Sequence, residues 1–496
     1  MFNNREIVTA VDLGSSKICV LVGEALPDGK VKVIGQGCVP SEGAIVKGEI
    51  YNMDKAFELL GSALEEADRS SDRELGNSRL VIVPVTGCGI ESMQGVGTAT
   101  IRSEQRVVTE KERAEAVENA KDQHVSAGRE IINISESCFA IDGRPVCNPL
   151  LQSGRRLDAY VHLVHGVTTR LENFRTIVRE SGFEDSMIYP VFAPLATDYG
   201  ILSEEERGSG ALLVDIGAGT TEYDVECNSG VRASGVLQVG FDHVCNDLAV
   251  GLDLNIGVCR KLVEDGSLSR AIREHRDCLE FPGSSVGTPR RIPLNSFETI
   301  IDLRLRETFE IIKQILNEKN ALSQLEAGGI LTGGGAMFER TGAMFREVFE
   351  MSCRIAQPLE NGDPVALAEN PRFSTVWVGR FSNTPESDHS NRTSESVMSP
   401  MRQCSPDTTL SARMAGVASR RKSCGSGEVG DDCLSCGDCA MVTPSVRLFT
   451  MIRVMRPRLP GTGGRLRRGS DSAETGRVYL PEPVAMPAMN CFWNTR

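Results

Sequence analysis

Ala211-Leu212-Leu213-Val214-Asp215-Ile216-Gly217-Ala218-Gly219-Thr220-Thr221-Glu222-Tyr223-Asp224-Val225 reads as an apolar strand, a tight glycine and hydroxyl turn, and a second strand. The pattern has an earlier counterpart. Glu6-Ile7-Val8-Thr9-Ala10-Val11 is a β-rich run that ends at Asp12-Leu13-Gly14-Ser15-Ser16-Lys17, and Ile18-Cys19-Val20-Leu21-Val22 resumes the strand. Two hairpins with the same Asp-x-Gly turn, about 200 residues apart, predict an internal duplication. A third glycine signal, Thr332-Gly333-Gly334-Gly335, follows the short strand Gly329-Ile330-Leu331 and precedes a helical pattern over Met337 to Phe349.

Working outward, residues 31–37 predict a third strand. Ala56, Leu59, Leu60 and Leu64 mark a helix over 54–67, opening at Asn52 or Asp54. Leu80 to Val85 is fully apolar, as buried parallel strands are. From 85 to 168 the character changes. A polar helix runs from Thr109 to about 122, and strand-like segments fall at 130–134 and 157–164, which reads as a small α+β insertion. A helix at 170–181, a strand then a helix over 187–202, and helices at 242–250, 256–265 and 295–318 complete the pattern. The expected organisation is 1–84 and 169–205 as a first α/β half, 85–168 as the insertion, 206–380 as the second half, and 381–496 as a disordered tail. That tail lacks periodicity and is rich in Ser, Arg, Pro, Gly and Met.

The bulk numbers fit this division. A chain of 496 residues exceeds what one core holds, and 40% hydrophobic with 24% charged residues is a globular composition. A net charge of −13 excludes general nucleic-acid binding, since nothing offsets phosphate repulsion. The start lacks the apolar core of a secretory signal, and no stretch approaches the roughly 18 apolar residues of a spanning helix. The cysteines before residue 381 are scattered without pair spacing, as in a reduced compartment.

The glycine turns carry the chemistry. Gly14 lets backbone N–H groups approach phosphate oxygens, Ser15 and Ser16 add hydroxyl donors, and Lys17 neutralises charge. Asp12 is placed to hold Mg²⁺ through water. The second hairpin repeats these parts with Asp215, Gly217, Gly219, Thr220 and Thr221. Two such hairpins suit clamping a polyphosphate for in-line attack by water. Gly333, Gly334 and Gly335 suit the adenosine end at a helix N-terminus. No Gly-x4-Gly-Lys P-loop and no Gly-x-Gly-x-x-Gly after the first strand competes with this reading. No catalytic base stands out; Glu222 and Asp224 are the nearest carboxylates by sequence. His162 and His165 read as packing groups, Arg155 and Arg156 as solvated surface, and Cys433-Leu434-Ser435-Cys436-Gly437-Asp438-Cys439 as a weak metal motif without a second knuckle.

Together these residues resemble the actin-like ATPase superfamily, in which two phosphate loops and an adenosine loop occur in this order, and within it the FtsA cell-division family. The insertion at 85–168, Phe192 to Leu202, Val236 to Asp247 with Gly240, and Pro371-Arg372-Phe373-Ser374-Thr375-Val376 extend the likeness over residues 5–378. The resemblance implies an ATP- and Mg²⁺-binding protein, a weak ATPase at most, that self-associates into polymers. It implies tethering of the tubulin homologue FtsZ and recruitment of later division proteins. It places the protein peripherally on the inner face of the plasma membrane at the septum. A PilM-like pilus scaffold and a sugar-kinase-like phosphotransferase on the same fold are the alternatives. Two features depart from the family. Where it presents Glu and Lys to the nucleoside, this chain has Cys259 and Leu262, with Lys261 and Glu264 out of register. Pro481, Pro483 and Pro487 forbid the usual terminal amphipathic helix, Val446 to Met455 has no clean apolar stripe, and the tail reads as frameshifted sequence.

Overall fold

The structure is a computed structural model. It describes residues 7–26, 31–71, 78–87, 89–103, 105–122, 125–146, 148–227, 230–282, 289–356 and 371–376. The expectations for the 381–496 tail, its cysteine motif and its candidate anchor lie outside the described residues.

Strand β1 (Ile7–Leu13) turns through Gly14 into β2 (Lys17–Ala25). The Gly14 N–H donates to the Lys17 carbonyl at 3.0 Å, closing a tight hairpin. Strand β3 (Val31–Pro40) pairs antiparallel with β2 and runs three residues past the expected end. The two-residue strands β4 (Ile45–Val46) and β5 (Glu49–Ile50) lead to α1 (Met53–Ser70). Asn52 caps α1 by accepting from the Lys55 N–H, settling the two candidate starts. The helix crosses β3 at Gly37, where a Cβ would lie 1.9 Å from the Ala63 carbonyl oxygen. Strand β6 (Ser78–Val85) then pairs parallel with β1.

The chain departs here into the insertion: β7 (Glu91–Thr100), α2 (Glu110–Asp122), β8 (Arg129–Ile141), β9 (Arg144–Val146) and β10 (Arg156–Val167). These form a four-stranded antiparallel sheet of order β7-β10-β8-β9. Strand β8 is thirteen residues long, far beyond the predicted 130–134. Its centre is half-buried and carries Asn133, Ser135 and Glu136, which hide the apolar alternation that sequence reading relies on. The chain returns through α3 (Thr168–Glu180) to β11 (Ile188–Phe192), parallel to β6, giving the order β11-β6-β1-β2-β3.

Helices α4 (Ala193–Ile201) and α5 (Glu204–Ser209) lead to the second half. Strands β12 (Ala211–Ile216), β13 (Thr221–Cys227) and β14 (Gly230–Leu237) form a meander. Then follow α6 (Phe241–Leu252), α7 (Ile256–Glu264), α8 (Ser267–Arg273), the short antiparallel pair β15 (Cys278–Phe281) and β16 (Arg290–Pro293), and α9 (Leu294–Glu318). Strand β17 (Gly328–Thr332), α10 (Glu339–Phe349) and β18 (Cys353–Ile355) close the half. Helix α8 was not expected; it starts after Gly266, whose φ of 69° breaks the run from α7.

The second sheet has the order β14-β13-β12-β17-β18, with β12 antiparallel to β13 and parallel to β17. Position for position it matches the first: a three-stranded meander with two parallel strands added on the far side. The duplication read from two turns is therefore a duplication of whole sheets. Each half has its own apolar core, an aliphatic one around Val11, Val20, Leu60 and Val83 and one with clustered phenylalanines around Val214, Val225, Phe309 and Phe345. Among the described residues no helix is long and apolar enough to cross a membrane.

Candidate functional site

The two Asp-x-Gly turns meet. Asp12 is next to last in β1, opposite Cys19, and Asp215 is next to last in β12, opposite Glu222. A Cβ on Gly219 would stand 2.4 Å from the Ser15 hydroxyl and 2.9 Å from the backbone of Lys47, so glycine lets the second turn press against the first half. Ser15 is itself held: its hydroxyl accepts from the Gly48 N–H at 3.1 Å, and the Ser41 hydroxyl donates to its carbonyl.

Three carboxylates converge with one ammonium. Burial, with the neighbouring Asp215 charge adding to it and Lys17 opposing it, raises Asp12 to about 6. Burial likewise raises Asp215, against hydrogen bonds from Thr375 and Thr197 and the charge of Lys17. Burial and then Asp215 push Glu222 to about 8. The Thr86 hydroxyl donates to the Glu222 carboxylate, which ties the end of β6 to the second hairpin. Such a surplus of negative charge is what a divalent cation neutralises.

The second turn is braced from behind. Gly240 caps α6, where a Cβ would meet the Ala218 carbonyl oxygen at 2.4 Å. The next two N–H groups, of Phe241 and Asp242, donate to the Gly217 and Ala218 carbonyls at 2.9 Å. Gly240 thus shapes the loop. Thr221 faces the same support, its hydroxyl donating to the Val239 carbonyl, while Thr220 hydrogen-bonds Glu222.

The third turn joins the same place. Gly333 adopts φ 82°, and a Cβ there would lie 2.3 Å from Asp215 Oδ1. Gly334 and Gly335 begin a 3-10 turn that precedes α10. Ser16 follows Ser15 on the first turn, and its carbonyl accepts from the Ser41 N–H at 3.0 Å.

Residues 371–376 form a 3-10 turn that packs into this junction, with contributions that residue chemistry alone did not predict. The Thr375 hydroxyl donates to Asp215 Oδ2 at 2.9 Å, and the Phe373 ring lies 5.2 Å from Lys17 Nζ. The Gly333 N–H donates to the Pro371 carbonyl, and Arg372 donates to the Glu264 carbonyl of α7. Only the tertiary fold reveals these, because the turn lies about 160 residues from Asp215 in sequence.

One expectation is corrected. Asp224 does not join the phosphate-side carboxylates: two residues further along β13, it sits beside Asp198 and Glu226 instead. Cys259 and Leu262 pack on the core of the second half, while Lys261 and Glu264 are exposed. His162 and His165 are packing groups as expected. His162 bonds Gln94 and Ser234, and burial lowers it to about 3.

Duplicated sheets of this order, joined at paired Asp-x-Gly turns with an inserted sheet in the first half, define an actin-like fold. A family model for cell division protein FtsA matches residues 212–377, and one for the SHS2 domain inserted in FtsA matches residues 87–165. The chain is 28% identical over 376 residues to cell division protein FtsA of Borreliella burgdorferi, covering 75% of this chain and 90% of that one. It is 28% identical over 382 residues to FtsA of Escherichia coli strain K12, covering 75% and 89%. A solved PilM–PilN type IV pilus biogenesis complex is 14% identical, covering 74% of this chain and 96% of that chain at a TM-score of 0.46. The chain thus carries an FtsA family match over residues 212–377 and is similar to these FtsA proteins over about three quarters of its length.

Proposed function

We propose that this protein binds ATP with Mg²⁺ between the two halves, polymerises, and tethers filaments of FtsZ to the cytoplasmic face of the membrane at the division septum. The observation that carries the nucleotide reading is the convergence of Asp12, Asp215 and Glu222 around Lys17, at turns supplied by duplicated strands. Gly14, Ser15, Ser16, Lys17, Gly217, Gly219, Thr220 and Thr221 would hold the phosphates. Asp12 and Asp215 would hold the cation through water, and Gly333, Gly334 and Gly335 would border the adenosine. Bound Mg²⁺ would neutralise the phosphate chain. Among the described residues, Glu222 is the carboxylate beyond the two aspartates that lies in this site, and its hydrogen bond from Thr86 leaves it an orienting group rather than a ready base. Weak turnover or none follows from that arrangement. We read residues 85–168 as the insertion subdomain through which copies contact one another, between 1–84 and 169–205 of the first half, with 206–380 as the second half.

The division role rests on the likeness to FtsA proteins. The test has two stages. Binding of a fluorescent ATP analogue with Mg²⁺, measured by anisotropy, must be saturable and lost on EDTA treatment; no binding would sink the nucleotide reading. Binding of peptides from the FtsZ C-terminal tail, and flotation with liposomes with and without FtsZ, then tests the tether. A protein that binds ATP and ignores FtsZ peptides would defeat the division role.

A further inference from the structure

Strand β13 buries three acidic side chains on one face, Glu222, Asp224 and Glu226, while Tyr223 and Val225 of the other face enter the apolar core. Glu222 belongs to the nucleotide side. The other two belong to a separate cluster with Asp198 of α4. One carboxylate oxygen from each of Asp198, Asp224 and Glu226 lies within 4.8 Å of the others, and all three residues are buried. Arg207 of α5 approaches them, its Nε 3.5 Å from Asp198 Oδ2 and 3.9 Å from Glu226 Oε2, with Tyr199 stacked on its guanidinium at 4.9 Å.

The charges do not balance. Three carboxylates against one guanidinium leave two negative charges in a site closed to water. The hydrogen bonding does not balance either. Asp224 is 0% exposed, yet neither of its carboxylate oxygens has a hydrogen-bond partner, and Asp198 Oδ1 and Glu226 Oε2 also lack one. An ionised carboxylate with no donor in the interior is strongly unfavourable. An oxygen-only donor set suits hard cations, and Ca²⁺ binds carboxylates at roughly 2.3–2.6 Å. Oxygens within 4.8 Å of one another share a point no more than about 2.8 Å from each, so small side-chain shifts bring all three to that distance.

We propose that Asp198, Asp224 and Glu226 form a buried site for a hard divalent cation of the size of Ca²⁺, beside Arg207 and apart from the nucleotide site. A cation there satisfies the orphaned oxygens and brings the cluster to neutrality. Helix α4 contacts strands of both sheets, so the ion would brace the element that links the two halves. Protons are the competing neutraliser. Burial raises all three groups against the lowering charge of Arg207, Glu226 to about 8 and Asp198 to about 6.

The test uses the full chain, stripped with EDTA and free of nucleotide, followed by thermal melts at pH 5.5 and pH 8 with and without Ca²⁺, Mn²⁺ or Mg²⁺. The expected result is an upward shift on the order of 5 °C with saturating Ca²⁺ at pH 8 and a smaller one at pH 5.5. Calorimetric titration should find a Ca²⁺ site kept in Asp12→Asn and lost in Asp224→Asn and in Glu226→Gln. A wild-type Tm that no divalent cation raises at pH 8 overturns the proposal without any variant. A response lost in Asp12→Asn and kept in Asp224→Asn also overturns it, by assigning the ion to the phosphate-side carboxylates.

Discussion

The Thr86 hydroxyl donates to the Glu222 carboxylate, so one hydrogen bond joins the last turn of the first sheet to the nucleotide-side hairpin of the second. Glu222 is buried, and burial together with Asp215 lifts it to about 8, well above the ordinary 4.5 of a glutamate. In the unfolded chain it ionises near its ordinary value. Folding therefore retains a proton between those two pH values, and stability falls as pH rises through that window. The ligand-free protein should melt several degrees lower at pH 8.5 than at pH 5.5. Glu222→Gln should flatten that slope measurably without removing it, since Asp12 titrates in the same direction. Melting curves across this range check the sign; a Tm that climbs with pH would refute it.

Asp12 and Asp215 should separate binding from stability. Asp215 is buried and Asp12 half-buried, and the fold resists the ionisation of both. Replacing Asp12 with Asn removes a costly charge while keeping the side-chain shape. The ligand-free Asp12→Asn protein should melt at or above the wild-type temperature. Its affinity for the ATP analogue with Mg²⁺ should drop at least tenfold, roughly 1.4 kcal/mol. Asp215→Asn should lose affinity similarly. Anisotropy titration beside a thermal melt reads both numbers on one preparation.

Much of this arrangement is legible in the sequence because it is local. The hairpins need a glycine and hydroxyls immediately after an apolar strand ending in Asp, and both carry them at Asp12 to Lys17 and Asp215 to Thr221. The duplication follows from that repetition. Strand β8 is only partly legible because polar residues such as Asn133 and Glu136 interrupt its pattern; Asn133 accepts from the Phe192 N–H. What no local pattern carries is the company a side chain keeps. Glu222 and Asp224 are two residues apart on one face of one strand, yet one meets Asp215 and the other Asp198. Thr375 and Phe373 reach the site from a turn whose sequence shows no nucleotide chemistry.

Gly333→Ala should damage fold and site together. The backbone there has φ 82°, a region costly for any residue with a side chain, by about 1–3 kcal/mol. The added methyl would also meet Asp215 Oδ1 at 2.3 Å and the Ile216 carbonyl oxygen at 2.6 Å. Neither neighbour is the free end of a flexible chain. The expected loss is about 2–4 kcal/mol of stability, with analogue affinity reduced even well below the Tm. Chemical denaturation with a parallel binding titration measures the two effects.

Gly97→Ala should act on the insertion alone. Strand β7 carries Gly97 beneath α2, and a Cβ there would lie 1.9 Å from the Ala116 carbonyl oxygen and 2.4 Å from the Ala120 nitrogen. Both atoms are helix backbone, so the helix must lift off the sheet. Gly37 stands in the same relation to Ala63 and Ala67 under α1, where the strands beside it carry the first phosphate turn. The two substitutions make a matched pair. Each should cost about 1–3 kcal/mol, the usual cost of overpacking. Gly97→Ala should leave nucleotide affinity within twofold of wild type, because its sheet contributes no residue to the Asp12 and Asp215 turns. Gly37→Ala should weaken it, because β3 pairs directly with the strand that leaves Lys17. If self-association runs through the insertion, Gly97→Ala should also weaken polymerisation at saturating ATP, which light scattering reads. Equal losses of nucleotide affinity in both variants would show that the insertion and the phosphate turns do not behave as separable units.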